Sequence, residues 1–342
     1  MQVKSRDYQL DIWRAIAIIA VVFYHSFLFL EYYSLVPETY VLLNKALFPV
    51  LLPPFFALSG MLHAKSLQLS WRDLFRQRIA PLLYLMAIWT VIRWVYFGYV
   101  QDNVRTPEEG KDLMQFVWMW VKPNTGLWFL WVLAIYLVVA KLVLSVPKVI
   151  VLTVAAALTL IVFGSWLVFD GIAYRNLLQY FTFYMAGVYY GRAMAQAASS
   201  KSVTVFLIAF AAYSVLFITR HLGLHLEAGL WRLLMAFTGI MWMAALASLI
   251  AKTFLKEPVG FLGRNTISVY VTHVIPIAIF SLLFAALPKT ALIVYLGLPA
   301  LIVLSTLSSL AIQKVAEVAG AGFLYHYPFS QKKMPGNKPA AA

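Results

Sequence analysis

Three side chains that can carry a charge lie within the first apolar stretch of the chain. Asp11, Arg14 and His25 occur in DIWRAIAIIAVVFYH, where almost every other residue is apolar. At roughly 100° per residue of α-helix, the step from Arg14 to His25 leaves them within about 20° of each other around the axis. Asp11 lies about 40° from His25 on the other side. A helix in this stretch therefore presents all three side chains from one face.

Such a face can move a proton at one end and hold an anion at the other. A histidine, with an ordinary pKa of about 6.5, can take a proton from a hydroxyl near neutral pH. Arg14 lies about 16 Å from His25 along the axis, near the end of the helix that we expect to be cytoplasmic. The alternative is structural: Asp11 and Arg14 form an i,i+3 ion pair at the helix start, and His25 is a hydrogen-bonded interior histidine.

Two other apolar stretches contain polar groups. PPFFALSG at residues 53–60 contains Ser59, and LGRNTISVYVTH at residues 262–273 contains Tyr270 and His273. An ionisable residue inside a membrane costs about 2.5–3.5 kcal/mol on insertion scales, so each one needs a reason. The first stretch can instead be a proline-kinked packing helix, and His273 can be a core histidine.

Arginines are concentrated in WRDLFRQRIAP at residues 71–81, which we predict to be a cytoplasmic loop. Arg72, Arg76 and Arg78 could bind a phosphate-bearing ligand, because the guanidinium fork matches phosphate oxygens. They could equally be the positive charge that membrane topology places on the cytoplasmic side.

Thiol and metal chemistry are not expected. The chain has no cysteine, which removes thiol nucleophiles and zinc–thiolate sites. His221 and His225 have a spacing that can ligate a metal on a helix, but Gly223 interrupts them. We therefore predict no metal site.

The elements that position these groups must lie in a lipid bilayer. Of the 342 residues, 63% are hydrophobic and 12% are charged, whereas soluble chains contain about 45–50% and about 25%. This composition excludes a soluble secreted protein, a nucleic-acid-binding protein and a disordered scaffold. The net charge of +14 is scattered between apolar runs, which is typical of cationic loops between membrane spans.

The apolar runs predict an all-α membrane protein, a bundle of about ten transmembrane helices. The stretch 113–121 is too short to span and is interpreted as interfacial. The side that carries both termini has 17 Lys and Arg against 8 on the other, so both termini are predicted to be cytoplasmic. Residues 1–325 form the membrane domain, and residues 326–342 are expected to be a disordered cytoplasmic tail. Gly187 and Gly191 form a GxxxG pattern that predicts a close helix contact. The predicted spans lie near residues 10–30, 46–64, 79–99, 126–144, 149–168, 177–194, 202–219, 230–251, 265–287 and 290–313.

Four motifs, in order, resemble the acyltransferase 3 family of membrane O-acyltransferases. The first is an Arg and a His separated by ten residues, here Arg14 and His25. The second is FFxLSGxL at residues 55–62, and the third is LWFL at residues 127–130. The fourth is Tyr-x-x-His, which here ends at His273.

This resemblance implies transfer of an acyl group, usually acetyl, from cytoplasmic acyl-CoA to a hydroxyl of an extracytoplasmic glycan or glycolipid. It implies a multi-pass protein of the cell membrane, with acyl-CoA as co-substrate and no permanently bound cofactor. The essential histidine of the family corresponds to His25, and its arginine corresponds to Arg14. One departure concerns the arginine segment: many members have Arg-x-x-Arg before the proline, whereas here one residue separates Arg76 from Arg78.

Together these observations give one hypothesis for the site. Asp11 holds Arg14, which with the arginines of residues 72–78 binds the CoA phosphates, and His25 is the base. Residues expected to orient the acceptor or stabilise an oxyanion are Tyr270, His273 and Ser59. The rival functions are a transporter or flippase of a glycolipid or small molecule, and a membrane sensor without chemistry. A proton-driven pump is disfavoured because carboxylates within the spans are almost missing.

Overall fold

The computed structural model describes residues 7–224 and 227–329, and these residues form helices and no strands. His225, one half of the histidine pair with metal-ligand spacing, lies outside the described residues. So do residues 330–342 of the predicted tail. Within the described part, no group of three or more His, Asp or Glu residues is arranged to hold a metal ion.

The helices follow one another along the chain with short connections. The first eight are α1 (Tyr8–Tyr32), α2 (Glu38–Leu47), α3 (Pro53–His63), α4 (Trp71–Leu74), α5 (Ala80–Tyr99), α6 (Gln115–Val121), α7 (Trp128–Leu142) and α8 (Lys148–Phe163). The others are α9 (Ile172–Gln179), α10 (Phe181–Ser200), α11 (Ser202–His221), α12 (Ala228–Ile250), α13 (Lys256–Arg264), α14 (Thr266–Thr272), α15 (Val274–Ala285) and α16 (Ala291–Val318). Short 3₁₀ turns cover Phe48–Val50, Ser66–Gln68, Val143–Ser145 and Gly322–Leu324, and a π-helix covers Phe75–Ile79.

Several helical stretches in the described residues are long and apolar enough to cross a bilayer, so the protein is a multi-pass helical membrane protein. Seven meet this test alone, and α14 with α15 makes an eighth if the bent pair is one span. Helix α8 is apolar but has only 16 residues, and α10 has 20 residues of lower mean hydropathy. A count of about ten crossings is consistent with these lengths. Helix α6, with seven residues, is too short to span, as predicted for this stretch.

The arginine-rich segment 71–81 is not the loop that we predicted. It is helical from Trp71, and the stretch Trp71–Tyr99 forms one candidate span. The π-helix lies just before Pro81, whose missing N–H would interrupt a regular helix ladder. A π-turn shifts the hydrogen-bond register at this point and lets the helix continue through the proline.

Helices α3 and α10 pack closely through glycines. A Cβ on Gly187 would lie 1.9 Å from the carbonyl oxygen of Ala57, and a Cβ on Gly60 would lie 2.0 Å from that of Tyr184. No side chain fits at either distance, so the backbones can approach only because both residues are glycine. The helix contact predicted from the GxxxG pattern is confirmed.

Helix α1 lies at the centre of the bundle, because α3, α12, α13, α14, α15 and α16 all pack against it. After α16 the chain folds back: Tyr325 is 2% exposed, and its hydroxyl lies 3.1 Å from Oγ1 of Thr272. The indole Nε1 of Trp89 donates to the carbonyl of Leu324 at 2.8 Å. These contacts tie the segment after α16 to the end of α14 and to α5.

Candidate active site

His25 lies on the central helix, seven residues before the end of α1 at Tyr32, which is about 10 Å of helix rise. Its Nδ1 lies 3.0 Å from the carbonyl oxygen of Val21, one turn earlier. The side chain is partly exposed. No described residue forms a hydrogen bond to its Nε2.

His273 lies at a break in the predicted span 265–287. Pro276 lacks an N–H, and its ring clashes with the carbonyl four residues earlier, at Thr272. The helix accordingly breaks between Thr272 and Val274 and bends by 54°. The sequence carried this signal in Pro276, although we predicted one continuous span.

The break brings His273 against His25. Its Nε2 lies 3.3 Å from Nδ1 of His25, and the two ring centroids are 4.9 Å apart in an edge-to-face arrangement. Its Nδ1 lies 2.7 Å from the carbonyl oxygen of Tyr270 and 3.0 Å from that of Val269. His273 is 1% exposed, so the ring is fixed on both sides.

The partners of the two rings assign their protons. Carbonyl oxygens only accept hydrogen bonds, so Nδ1 of His273 carries its proton and Nε2 keeps a lone pair. That lone pair accepts from Nδ1–H of His25, which also donates to Val21. Nε2 of His25 is then the unprotonated nitrogen of the pair, and a basic atom at this position suits proton abstraction.

A cavity of about 690 Å³ opens beside this pair. His25 and Tyr270 line one part of it, and residues from α2, α3, α7, α8, α9, α11 and α12 line most of the rest. Its volume lies within the range of small-molecule sites. By the predicted topology the cavity opens to the face away from the cytoplasm, which we call the external side.

Tyr270 is fixed rather than free. Its hydroxyl donates to the carbonyl oxygen of Gly126 at 2.6 Å. Its ring packs against Phe129, with centroids 5.5 Å apart. Tyr270 therefore shapes the wall of the cavity next to His25, while its hydroxyl proton is already engaged.

A buried ion pair, which we did not predict from the sequence, lies next to this wall. Nε and Nη2 of Arg93 donate to Oε1 and Oε2 of Glu109 at 2.7 and 2.9 Å. The two side chains are 3% and 1% exposed. The Arg93 guanidinium also lies beside Gly126, the residue whose carbonyl holds Tyr270.

The pKa of Glu109 shows that its charge is well compensated. Burial by itself raises the pKa of this carboxyl, but the charge of Arg93 and the hydrogen bonds from Arg93, Thr106 and Asn103 outweigh it. The net effect lowers the pKa below its ordinary value. The loop between α5 and α6 is therefore anchored to the bundle by an ionised glutamate.

Asp11 and Arg14 form the predicted ion pair, with Nη1 of Arg14 3.0 Å from Oδ1 of Asp11. Oδ2 of Asp11 lies 3.9 Å from Arg264 on α13. A Cβ on Gly263 would lie 1.7 Å from the carbonyl oxygen of Asp11, so α1 and α13 touch here. Arg14 is 33% exposed and does not line the cavity. It lies within electrostatic range of His63.

The arginines of residues 72–78 lie on the surface at the same end of the bundle as Arg14. Nε of Arg78 donates to Oγ of Ser66 at 2.9 Å, and the charge of Arg78 also reaches His63. Arg72 and Arg76 are exposed. The charges of Arg14 and Arg78 thus both act on His63. Within the described residues, Arg72 and Arg76 have no such interaction.

The predicted site residues therefore fall into two groups. His25, His273 and Tyr270 come together at the cavity. Asp11 and Arg14 lie at the other end of α1, with the arginines of residues 72–78. Ser59 belongs to neither group: it does not line the cavity, and it neighbours the glycine contact with α10.

The profile of the acyltransferase 3 family, described as an acyltransferase domain, matches residues 7–313. The chain belongs to the acyltransferase 3 family. No curated protein and no solved structure matches it. The match covers nearly all of the described residues and includes both groups of site residues, so the helical bundle as a whole is the acyltransferase domain. The protein is a membrane O-acyltransferase.

Proposed function

We propose that this acyltransferase moves an acetyl group from cytoplasmic acetyl-CoA to a hydroxyl of an extracytoplasmic cell-surface glycan or glycolipid. The observation that carries the proposal is the His25–His273 pair beside the cavity. It supplies a neutral, oriented base next to a space large enough for a glycan segment. The acyltransferase 3 profile supports the reaction class, and the multi-pass fold supports a place in the cell membrane.

His25 acts as the general base and then as the general acid. As the acceptor oxygen attacks the thioester carbonyl, Nε2 of His25 takes the hydroxyl proton and a C–O bond forms. The tetrahedral oxyanion then collapses, the C–S bond breaks, and the thiolate of CoA receives the same proton from His25. His273 keeps the Nδ1–H of His25 pointed away from the substrate, so it is a positioning residue.

The donor binds from the opposite end of α1. Arg14 is held by Asp11 at 3.0 Å and is still 33% exposed, so its remaining N–H groups can reach a phosphate of acetyl-CoA. Arg78 lies on the same side, and Arg72 and Arg76 extend the cationic surface. The distance of about 16 Å between Arg14 and His25 then places the anionic part of the donor far from the reacting thioester.

Labelled acetyl-CoA tests the proposal in membranes that contain the protein. We expect label on the surface glycan of the host with wild-type protein and none with His25→Ala. His326→Ala is the matched control, because His326 is an exposed histidine that does not line the cavity. The control variant should transfer label at the wild-type rate.

Two results would contradict the proposal. Full transfer by His25→Ala would show that His25 is not the general base, provided that both variants elute as the wild type does in detergent. Absence of label on any glycan with wild-type protein would mean that the donor or the acceptor is another compound. A release of CoA that requires both donor and acceptor would support transfer over simple transport.

A further inference from the structure

Basic residues on the external side are unevenly distributed. Topology favours few cations on this side, yet four of them line one cavity: Lys45, Arg175, Arg220 and Arg232. Of the other external cations, Lys111 and Lys122 pair with Asp102 at 3.5 Å and Asp170 at 2.5 Å, and Arg105 and Lys289 do not line the cavity. Topology does not explain why half of the external cations gather at one cavity.

The four cavity cations come from four different helices. Lys45 lies on α2, Arg175 on α9, Arg220 at the end of α11 and Arg232 in the first turns of α12. Within the described residues none forms an ion pair with a carboxylate. Arg220 packs over the ring of Trp231 at 5.4 Å, and Nη1 of Arg232 donates to the carbonyl of Phe163 at 2.9 Å. These contacts orient the two guanidinium groups and leave most of their donors available.

Among the described residues, no aspartate or glutamate lines the cavity. It does contain the side-chain amides of Asn44, Asn176 and Gln179, which can bond sugar hydroxyls. Oδ1 of Asn44 is buried and has no hydrogen-bond partner in the described part of the chain. Aromatic rings, among them Trp128 and Tyr180, complete the wall. Such a cavity matches a ligand that combines hydroxyls, a ring face and negative charge.

We propose that the acceptor is an anionic glycan, whose phosphate or carboxylate group is bound by Arg175, Arg220, Arg232 and Lys45. This inference rests on the proposed function and names the substrate class of the same site. Lys45, Arg220 and Arg232 lie within four residues of an end of α2, α11 and α12, and Arg175 lies on the short helix α9, whereas His25 lies about 10 Å inside the end of α1. The anionic group thus stays at the mouth of the cavity while a neighbouring sugar hydroxyl reaches His25.

Binding to the protein in nanodiscs of uncharged phosphatidylcholine tests this inference. The probes are fluorescently labelled trigalacturonate, labelled maltotriose of equal length and farnesyl diphosphate as a competitor. We expect trigalacturonate to bind at least about tenfold more tightly than maltotriose, and only its binding to weaken with salt. Arg175→Gln and Arg232→Gln should each weaken it about ten- to hundred-fold, the range of one charge-assisted hydrogen bond.

Lys289→Gln is the control, because Lys289 is exposed on the external side but does not line the cavity. The Lys289→Gln variant should bind trigalacturonate as tightly as the wild type does. If farnesyl diphosphate competes and other anions have little effect, the acceptor bears a phosphate. If other anions compete and farnesyl diphosphate has little effect, the acceptor bears a carboxylate. Loss of probe binding when phosphatidylglycerol is added to the nanodisc would show that the cations serve lipid headgroups and would overturn the inference. So would equal binding of the neutral probe, or no binding of either anion.

Transfer of label from acetyl-CoA to host glycan, measured with the same preparations, separates this inference from the proposed function. Anion binding without any transfer would refute the proposed function and leave the anion site standing. Transfer of label, together with equal binding of trigalacturonate and maltotriose, would refute the anion site alone.

Discussion

The substitution Glu109→Gln tests how far the buried ion pair supports the site. Oε2 of Glu109 accepts from Nη2 of Arg93 at 2.9 Å, Nδ2 of Asn103 at 2.7 Å and Oγ1 of Thr106 at 3.0 Å. Oε1 accepts from Nε of Arg93 at 2.7 Å. A glutamine can keep one oxygen toward Arg93. Its NH₂ group then faces donors and cannot accept from them.

The expected loss of stability follows from this geometry. Removing one partner of a buried, hydrogen-bonded ion pair costs about 3–5 kcal/mol, because the other charge stays buried without compensation. Replacing both partners with apolar residues avoids that penalty. The double variant Arg93→Met, Glu109→Leu should therefore be less destabilised than either Glu109→Leu or Arg93→Met alone.

The assay is unfolding of the purified protein in detergent, followed by heat and by added denaturing detergent. The single variants should unfold at lower temperature and lower denaturant than the wild type, and the double variant should recover part of the loss. The reasoning is refuted if Glu109→Gln costs less than about 1 kcal/mol, or if the double variant loses the sum of the two single losses.

The same pair predicts how stability depends on pH. Burial raises the pKa of Glu109, but the charge of Arg93 and the hydrogen bonds from Arg93, Thr106 and Asn103 lower it by more, so the folded pKa lies below the ordinary value of 4.5. A depressed carboxyl pKa contributes stability that is fully present above the unfolded pKa and is lost as pH falls through the folded one. The wild type should therefore lose stability below about pH 4.5, and Glu109→Gln should lack that component. An identical pH profile for both proteins would contradict the assignment.

Three further predictions concern the site and its frame. His273→Gln should lower kcat for transfer about ten- to hundred-fold with little change in KM, because the Nδ1–H of His25 loses the imidazole acceptor that it shares with the carbonyl of Val21. Arg14→Lys should raise KM for acetyl-CoA about tenfold, since an ammonium cannot replace two parallel contacts to phosphate. Gly187→Leu should prevent stable folding, because its side chain would overlap the backbone of Ala57, and the yield of monodisperse protein measures this.

Each of these predictions has a contrary outcome. If kcat for His273→Gln falls only in proportion to the loss of folded protein, the role of His273 is purely structural. Unchanged kinetics for Arg14→Lys would mean that charge alone is used, or that the donor lies elsewhere. Normal yield for Gly187→Leu would show that α3 and α10 can separate, and Gly322→Ala, at a glycine with nothing within 4 Å of its added Cβ, controls for the loss of a glycine.

The sequence predicted the parts of the site that depend on local geometry. Asp11 and Arg14 are three residues apart on one helix, so the spacing alone determines their contact, and the structure places them 3.0 Å apart. The common face of Arg14 and His25 follows from the helix period in the same way. The close glycine contact of α10 was predictable, because small residues four apart in an apolar helix let the backbone of a second helix approach closely.

Contacts between distant segments were not predictable in this way. His25 and His273 are 248 positions apart, and only the bend caused by Pro276 lets them meet. Glu109 follows a span in a polar segment, where a carboxylate is ordinarily solvated. It is buried only because Gly98 and Gly110 let the loop pack onto α5, where a Cβ on Gly110 would lie 2.3 Å from the backbone nitrogen of Gly98. Arg93 alone, an arginine within a predicted span, indicated that an acidic partner had to exist.

The position of His273 explains why a histidine pair can do what a carboxylate–histidine pair does elsewhere. A buried carboxylate beside His25 would be costly in a membrane unless a cation compensated it. A neutral imidazole whose Nδ1–H is fixed by the carbonyls of Val269 and Tyr270 accepts the same proton from His25 without adding a charge. The carbonyl of Val269 also accepts the backbone N–H of His273 at 2.9 Å. The last turn of α14, just before the bend, therefore supplies the groups that orient the base.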